Sequence, residues 1–210
     1  MTTSGAGAQT ITTIAELEAR YGFPSGGAVA KELDHIADHY RQMIEVAPFM
    51  ALATVGPDGL DCSPRGDKPG FVRIVDDKTV LIPDRRGNNR IDSLRNIVHD
   101  NRVALLFLIP GVNETLRING TAEISIDPAL LESFAIEEKA PRSVIVVTVE
   151  RIYFQCAKAL VRSKLWDPAV QIPRTRLPST GAMIEAMSKG AIDGAAYDRE
   201  LPIRIPKQLW

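Results

Sequence analysis

The sequence predicts a mainly β protein with flanking helices (α+β), its strands folded into an antiparallel barrel. Three observations carry this. From Pro48 the hydrophobic rhythm changes to period two and to short apolar runs. Those runs are separated by hairpin signals, of which Gly56-Pro57-Asp58-Gly59 is the clearest. Only one or two helical segments interrupt roughly seven strands, whereas a doubly wound parallel sheet would alternate strand with helix.

Along the chain, residues 1–10 are small and polar and read as disordered. Ile11 to Tyr21 reads as a short helix, with Thr13 as cap and Ile14 and Leu17 on its apolar side. A longer helix is expected over Ala28 to Val46, where Val29, Leu33, Ile36, Tyr40, Met43 and Ile44 trace one face. It would carry His35 and His39 at i, i+4, a metal-chelating spacing that lacks a third ligand, so no metal site is expected. The strands follow as Phe49–Val55, Leu60–Ser63, Phe71–Val75 and Thr79–Ile82, then Arg102–Ile109 and Thr115–Ser125, with Gly120 placed to bend or bulge the last of these. After a helix begun by Asp127-Pro128, Val144–Val149 and Ile152–Gln155 complete the sheet. The tail offers a helix near Ala182 to Lys189, a Gly/Ala-rich link and an extended Leu201–Pro206 segment. Three parts result: a helical extension (1–47), the barrel (48–168), and a C-terminal helix and tail (169–210) that packs on the barrel or on a partner subunit.

Composition narrows the function classes. With 45% hydrophobic and 24% charged residues and a formal net charge of −1, the chain is ordinary globular material. It has no global field to draw nucleic acid or an anionic membrane. Two cysteines, Cys62 and Cys156, are too few for a disulfide framework and show no zinc spacing. The start lacks the basic and apolar regions of a signal peptide, and no run is long enough to span a membrane. A cytoplasmic protein is expected.

Local basic clusters are therefore the features that carry chemistry. The stretch from Ile82 to Ile97 reads as strand end, turn and helix start, with Asn88 or Asn89 as cap. Arg85, Arg86 and Arg90 crowd that helix start, where the macrodipole disfavours cations. Free N–H groups and guanidiniums converging there suit an anion such as a phosphate. The alternative is a solvated basic turn partly neutralised by Asp84 and Asp92. Ser63-Pro64-Arg65-Gly66-Asp67 marks a second polar segment at a strand end. A third begins at Cys156, with Lys158 and Arg162 at i, i+4 and Trp166 one turn further on.

In order and spacing, several motifs of residues 48–168 resemble the pyridoxamine 5′-phosphate oxidase-like FMN-binding split-barrel superfamily. They are Ala51-Leu-Ala-Thr-Val-Gly-Pro-Asp-Gly, Pro69-Gly-Phe-Val-Arg-Ile, Leu81-Ile-Pro-Asp-Arg-Arg-Gly-Asn-Asn-Arg with Asp92-Ser-Leu-Arg-Asn, Val103-Ala-Leu-Leu-Phe-Leu-Ile-Pro-Gly, Glu114-Thr-Leu-Arg-Ile-Asn-Gly-Thr-Ala-Glu, and Cys156-Ala-Lys-Ala with Arg162-Ser-Lys-Leu-Trp-Asp-Pro. The nearest likeness is to a bacterial subgroup of probable FMN-dependent enzymes. The resemblance implies an antiparallel split β-barrel of FMN-binding type and a homodimer with cofactor sites at the subunit interface. It nominates Ser63, Arg65, Asn88, Asn89 and Arg90 for the phosphate and ribityl chain, with Arg85 and the backbone at Ile82 and Pro83 close by. Thr115 and Arg117 fall on the strand that approaches the flavin ring. Lys158, Arg162 or Arg117 would place a cation at the ring's N1–C2=O edge, with Trp166 over the ring or across the dimer. Arg117 equally suits a surface strand position paired with a cross-strand acid, and Cys156 a small buried thiol.

Asn88-Asn89-Arg90 replaces a serine-arginine-lysine run of pyridoxamine phosphate oxidase, so Arg65 or Arg85 must supply further charge. The C-terminal basic pattern that grips pyridoxine phosphate is absent, so the resemblance does not extend to that substrate. The expected function is an FMN-dependent oxidoreductase acting on a small organic molecule. A flavin-sequestering protein without turnover and a deazaflavin (F420)-dependent reductase are the alternatives.

Overall fold

Apolar side chains from five of seven strands build most of the core of the protein, as a computed structural model describing residues 10–209 makes plain. Apart from Thr10, the segment read as disordered lies outside the described residues. The chain divides into two compact units, residues 1–32 and 33–210.

In the first unit, α1 (Ile14–Tyr21) begins with a reciprocal cap. Thr13 Oγ1 accepts from the Glu16 N–H at 3.2 Å, and Glu16 Oε2 accepts from the N–H groups of Thr12 and Thr13 at 2.9 and 3.2 Å. Those donors, Thr12 first, hold the Glu16 carboxyl below its ordinary range. A short helix, α2 (Gly26–Ala30), follows.

The single long helix expected over Ala28 to Val46 is instead two. In the second unit Leu33 exchanges backbone hydrogen bonds with Ile152, at 3.0 and 2.8 Å, and so is held extended. Helix α3 (Asp38–Val46) starts only after it. His35 therefore precedes α3, and its Nδ1 lies 2.8 Å from Asp34 Oδ1 instead of facing His39 across a helical turn. No group of three or more metal-ligating side chains occurs among the described residues. Ile36, Tyr40 and Ile44 point into the main core.

The sheet comprises β1 (Phe49–Gly56), β2 (Gly59–Gly66), β3 (Arg73–Ile74), β4 (Thr79–Pro83), β5 (Arg102–Leu108), β6 (Thr115–Ser125) and β7 (Val144–Gln155), all pairings antiparallel, in the order β2-β1-β5-β6-β7-β4-β3. It is not closed: β2 and β3 remain as edges, which is the split of the barrel. The inward positions alternate as the sequence pattern predicts. Met50 and Leu52, then Leu105 and Phe107, then Leu116 and Ile118 are 0–1% exposed.

The two expected last strands are one. Glu150 and Arg151 interrupt the apolar pattern because the register shifts there: Asn119 faces Arg151 and Gly120 faces Val149, leaving Glu150 as the extra residue of a bulge. The bulge lies on β7 and not on β6, with Gly120 at the register shift opposite it. A Cβ there would stand 1.9 Å from the Thr148 carbonyl oxygen, part of the backbone. Gly120→Ala should therefore lower folding stability by about 1–3 kcal/mol, the range for overpacking a tight site, read as a shift in the urea midpoint.

Helix α4 (Asp92–His99) follows β4, and α5 (Pro128–Ser133) is capped by Asp127, whose Oδ1 accepts from the Leu130 N–H at 2.8 Å. Beyond β7 come α6 (Lys158–Ser163), α7 (Thr180–Met187) and α8 (Gly194–Arg204). The last corrects the extended reading of Leu201–Pro206. Asp193 caps the helix, and it runs through Pro202, which forgoes only one internal hydrogen bond near its end. Among the described residues, no helix is long and apolar enough to cross a membrane.

Candidate functional site

A cleft of about 590 Å³ opens where the end of β2 meets the segment after β4. The inward-outward alternation of β2 turns Asp61, Ser63 and Arg65 toward one side, while the wall opposite comes from Pro83 to Leu94 and from Arg142-Ser143, just before β7. Five arginines (65, 85, 86, 90, 142) and three aspartates (61, 84, 92) line it, so its balance is cationic although the chain's is not.

Two ion pairs cross from β2 to the turn after β4. Arg85 Nε donates to Asp67 Oδ2 at 2.9 Å, with the Asp67 side chain 2% exposed, and Arg85 Nη1 donates to the Phe134 carbonyl at 2.9 Å. Arg65 Nη2 lies 3.9 Å from Asp84 Oδ1, and its Nη1 donates to the Pro64 carbonyl at 3.0 Å. Burial raises the Asp84 carboxyl above its ordinary range, against the pull of Arg65 and Arg142. Arg65 Nε is buried and has no hydrogen-bond partner among the described residues.

The turn itself is strained. Asn89 and Ile91 hold left-handed backbone, φ 59° and 54°, which is costly for a β-branched residue. Arg142 Nη1 donates to Asn89 Oδ1 at 3.3 Å, and Asn88 Oδ1 accepts from the Arg90 N–H at 3.0 Å. Neither asparagine caps α4; Ile91 occupies that position without a side-chain bond. Arg90 Nε donates to Asp92 Oδ2 at 2.8 Å in an exposed pair, so part of the basic turn is neutralised as the alternative reading supposed. The start of α4 already faces carboxylates. Asp92 opens the helix, and Asp61 Oδ2 accepts from Ser93 Oγ at 2.7 Å and Ser63 Oγ at 2.9 Å. The cationic focus of the cleft is thus Arg65 with Arg142, rather than the helix start.

Of the residues singled out in the sequence, Ser63, Arg65, Pro83, Arg85, Asn88, Asn89 and Arg90 line this cleft. Ile82 is fully buried in the core just behind Pro83. Thr115, Arg117, Lys158, Arg162 and Trp166 lie outside it. Arg117 Nη1 donates to the cross-strand Tyr153 hydroxyl at 2.9 Å, a phenol where an acid was the alternative. Trp166 Nε1 donates to the Val112 carbonyl at 2.7 Å, and Cys156 is exposed. Sequence reading missed Asp61, Ser93 and Arg142. The polar alternation Asp61-x-Ser63-x-Arg65 was a usable signal for the first; Arg142 reaches the site only through the pairing of β7 with β4.

A family model described as pyridoxamine 5′-phosphate oxidase matches residues 36–156, more than half of the chain. No curated protein matches it. Among solved structures, HupZ of Group A Streptococcus is 23% identical, over 57% of this chain and 93% of its own, with a TM-score of 0.46. An F420 reductase is 20% identical over 57% and 98%, with a TM-score of 0.42. An FMN-binding protein from Syntrophomonas wolfei subsp. wolfei is 12% identical over 55% and 88%, also at 0.42.

Proposed function

This chain belongs to the pyridoxamine 5′-phosphate oxidase family, and on that premise we propose that it is an FMN-dependent oxidoreductase acting on a small organic substrate, with the FMN phosphate held in the arginine-lined cleft. One observation carries the placement: the buried Arg65 Nε has no partner. A buried donor left unpaired is costly, and an anionic oxygen is the acceptor that best repays a guanidinium. Arg65 binds the phosphate, assisted by Arg142 and by Asn89, which Arg142 orients. Arg85 braces the wall through Asp67 and Phe134. When bound, FMN supplies reversible hydride transfer at its ring.

We extend the proposal to a homodimer. Thr115 is buried, but Arg117, Lys158, Arg162 and Trp166 lie away from the chain's own cleft, and a partner subunit would bring their surface to it. The outward positions of β1 and β5, Phe49, Ala51, Ala53, Ala104, Leu106 and Leu108, pair across the two strands as an apolar row suited to burial against a second copy. Two free, exposed cysteines, Cys62 and Cys156, favour a reducing compartment such as the cytoplasm.

The purified protein is expected to be yellow, or to bind added FMN stoichiometrically in a flavin absorbance titration. Bleaching by NADH or NADPH followed by reoxidation in air marks turnover. A colourless protein that ignores added FMN overturns the reading.

A further inference from the structure

Side chains two apart on a strand share a face, so Asp61, Ser63 and Arg65 form a row along the cleft, about 13 Å from end to end at roughly 3.3 Å per residue. The two ends of this row differ in chemistry. At one end, Ser63 Oγ and Ser93 Oγ both donate to Asp61 Oδ2, at 2.9 and 2.7 Å. A serine hydroxyl has a single proton, so neither serine retains one for a ligand anion. Asp61 Oδ1 takes no hydrogen bond among the described residues, and because Asp61 lines the cleft this oxygen is an acceptor left for a ligand there. At the other end stands Arg65, with its unpaired, buried Nε.

A ligand that is anionic throughout would satisfy Arg65 and then meet the Asp61 carboxylate. A wholly apolar chain would leave Oδ1 without a donor. What suits both ends is a phosphorylated polyol, its phosphate at Arg65 and its hydroxyl groups running toward Asp61. We propose that Asp61 is a specificity-determining residue of the cleft: its free oxygen accepts from a hydroxyl of a polyol phosphate and fixes which way round that ligand lies. This rests on the flavin reading, since FMN carries such a ribityl phosphate, and assigns the part of the ligand that the arginines do not read.

The test separates the two readings by using fragments beside the cofactor. Ribitol 5-phosphate and n-pentyl phosphate, equal in chain length but differing in hydroxyl groups, are titrated calorimetrically into the full chain. Ribitol 5-phosphate is expected to bind about 10-fold tighter, the scale of one hydrogen bond to a charged group. In Asp61→Asn, which keeps shape and removes charge, that preference should fall to about 2-fold while pentyl phosphate binding holds. FMN and riboflavin should weaken by one common factor. Equal binding of the two fragments to the unaltered protein, a preference unchanged in Asp61→Asn, or tighter FMN binding in that variant overturns the assignment; the last would put the carboxylate against the phosphate. Fragment discrimination without FMN binding overturns the cofactor reading and leaves the Asp61 assignment standing. The fragment comparison on the unaltered protein needs no variant to fold.

Discussion

Asp67→Ala should destabilise the fold by about 3–5 kcal/mol, the cost of breaking a buried ion pair from one side. The Asp67 side chain is 2% exposed and that of Arg85 16%, so removing the carboxylate takes the ion-pair partner from a guanidinium in a poorly hydrated wall. Asp67 also takes the Lys68 N–H on Oδ1 at 2.6 Å, so the turn leaving β2 loosens with it. Arg85→Ala should cost less, and the double variant less than the sum of the singles, because the stranded charge is the larger part of the penalty. Guanidinium unfolding of the four proteins of this cycle measures it. Additive losses would show that the pair does not hold β2 against the β4 turn.

The second large effect concerns binding. Arg65→Ala should weaken FMN by roughly 10- to 150-fold, the worth of a charge-assisted hydrogen bond of about 1.5–3 kcal/mol, and leave riboflavin, which has no phosphate, nearly unchanged. Fluorescence titration of both flavins checks this. Equal losses for both would move the phosphate elsewhere. Loss of Arg65 also removes one of the two cations that hold the Asp84 carboxyl down against burial, so its pKa should rise further in the variant.

Much of this was legible in the residues. Strand β6 runs from Thr115 to Ser125 as its pattern states, Gly120 marks the place of a bulge, Thr13 caps α1, and the cleft draws on the two polar segments at strand ends, Ser63–Arg65 and Pro83–Arg90. These features are local: periodicity, capping and turn chemistry act within a few residues. The misreadings arise where distant partners decide. Leu33 looks helical by spacing, and Ile152 pulls it into a bridge. Glu150-Arg151 looks like a loop, and Gly120 on the next strand makes it a bulge. Arg142 and Ser93 carry no signature in their own neighbourhoods; they join the cleft because α4 and the start of β7 converge on β2. Leu201–Pro206 looks extended, and a helix capped by Asp193 runs through its first four residues instead.

The strand order has a bearing on when the site can exist. β2 lies first in the sheet and β4 sixth, and β4 is placed by pairing with β7, Thr79–Pro83 against Val144–Thr148. Arg65 is made early in synthesis, yet the wall it faces waits for a strand some eighty residues later. Contacts of such long sequence separation form late. On the ribosome, a chain that has not yet released β7 has β1 and β2 but no cleft. Ligand binding in the cleft would therefore report a completed sheet.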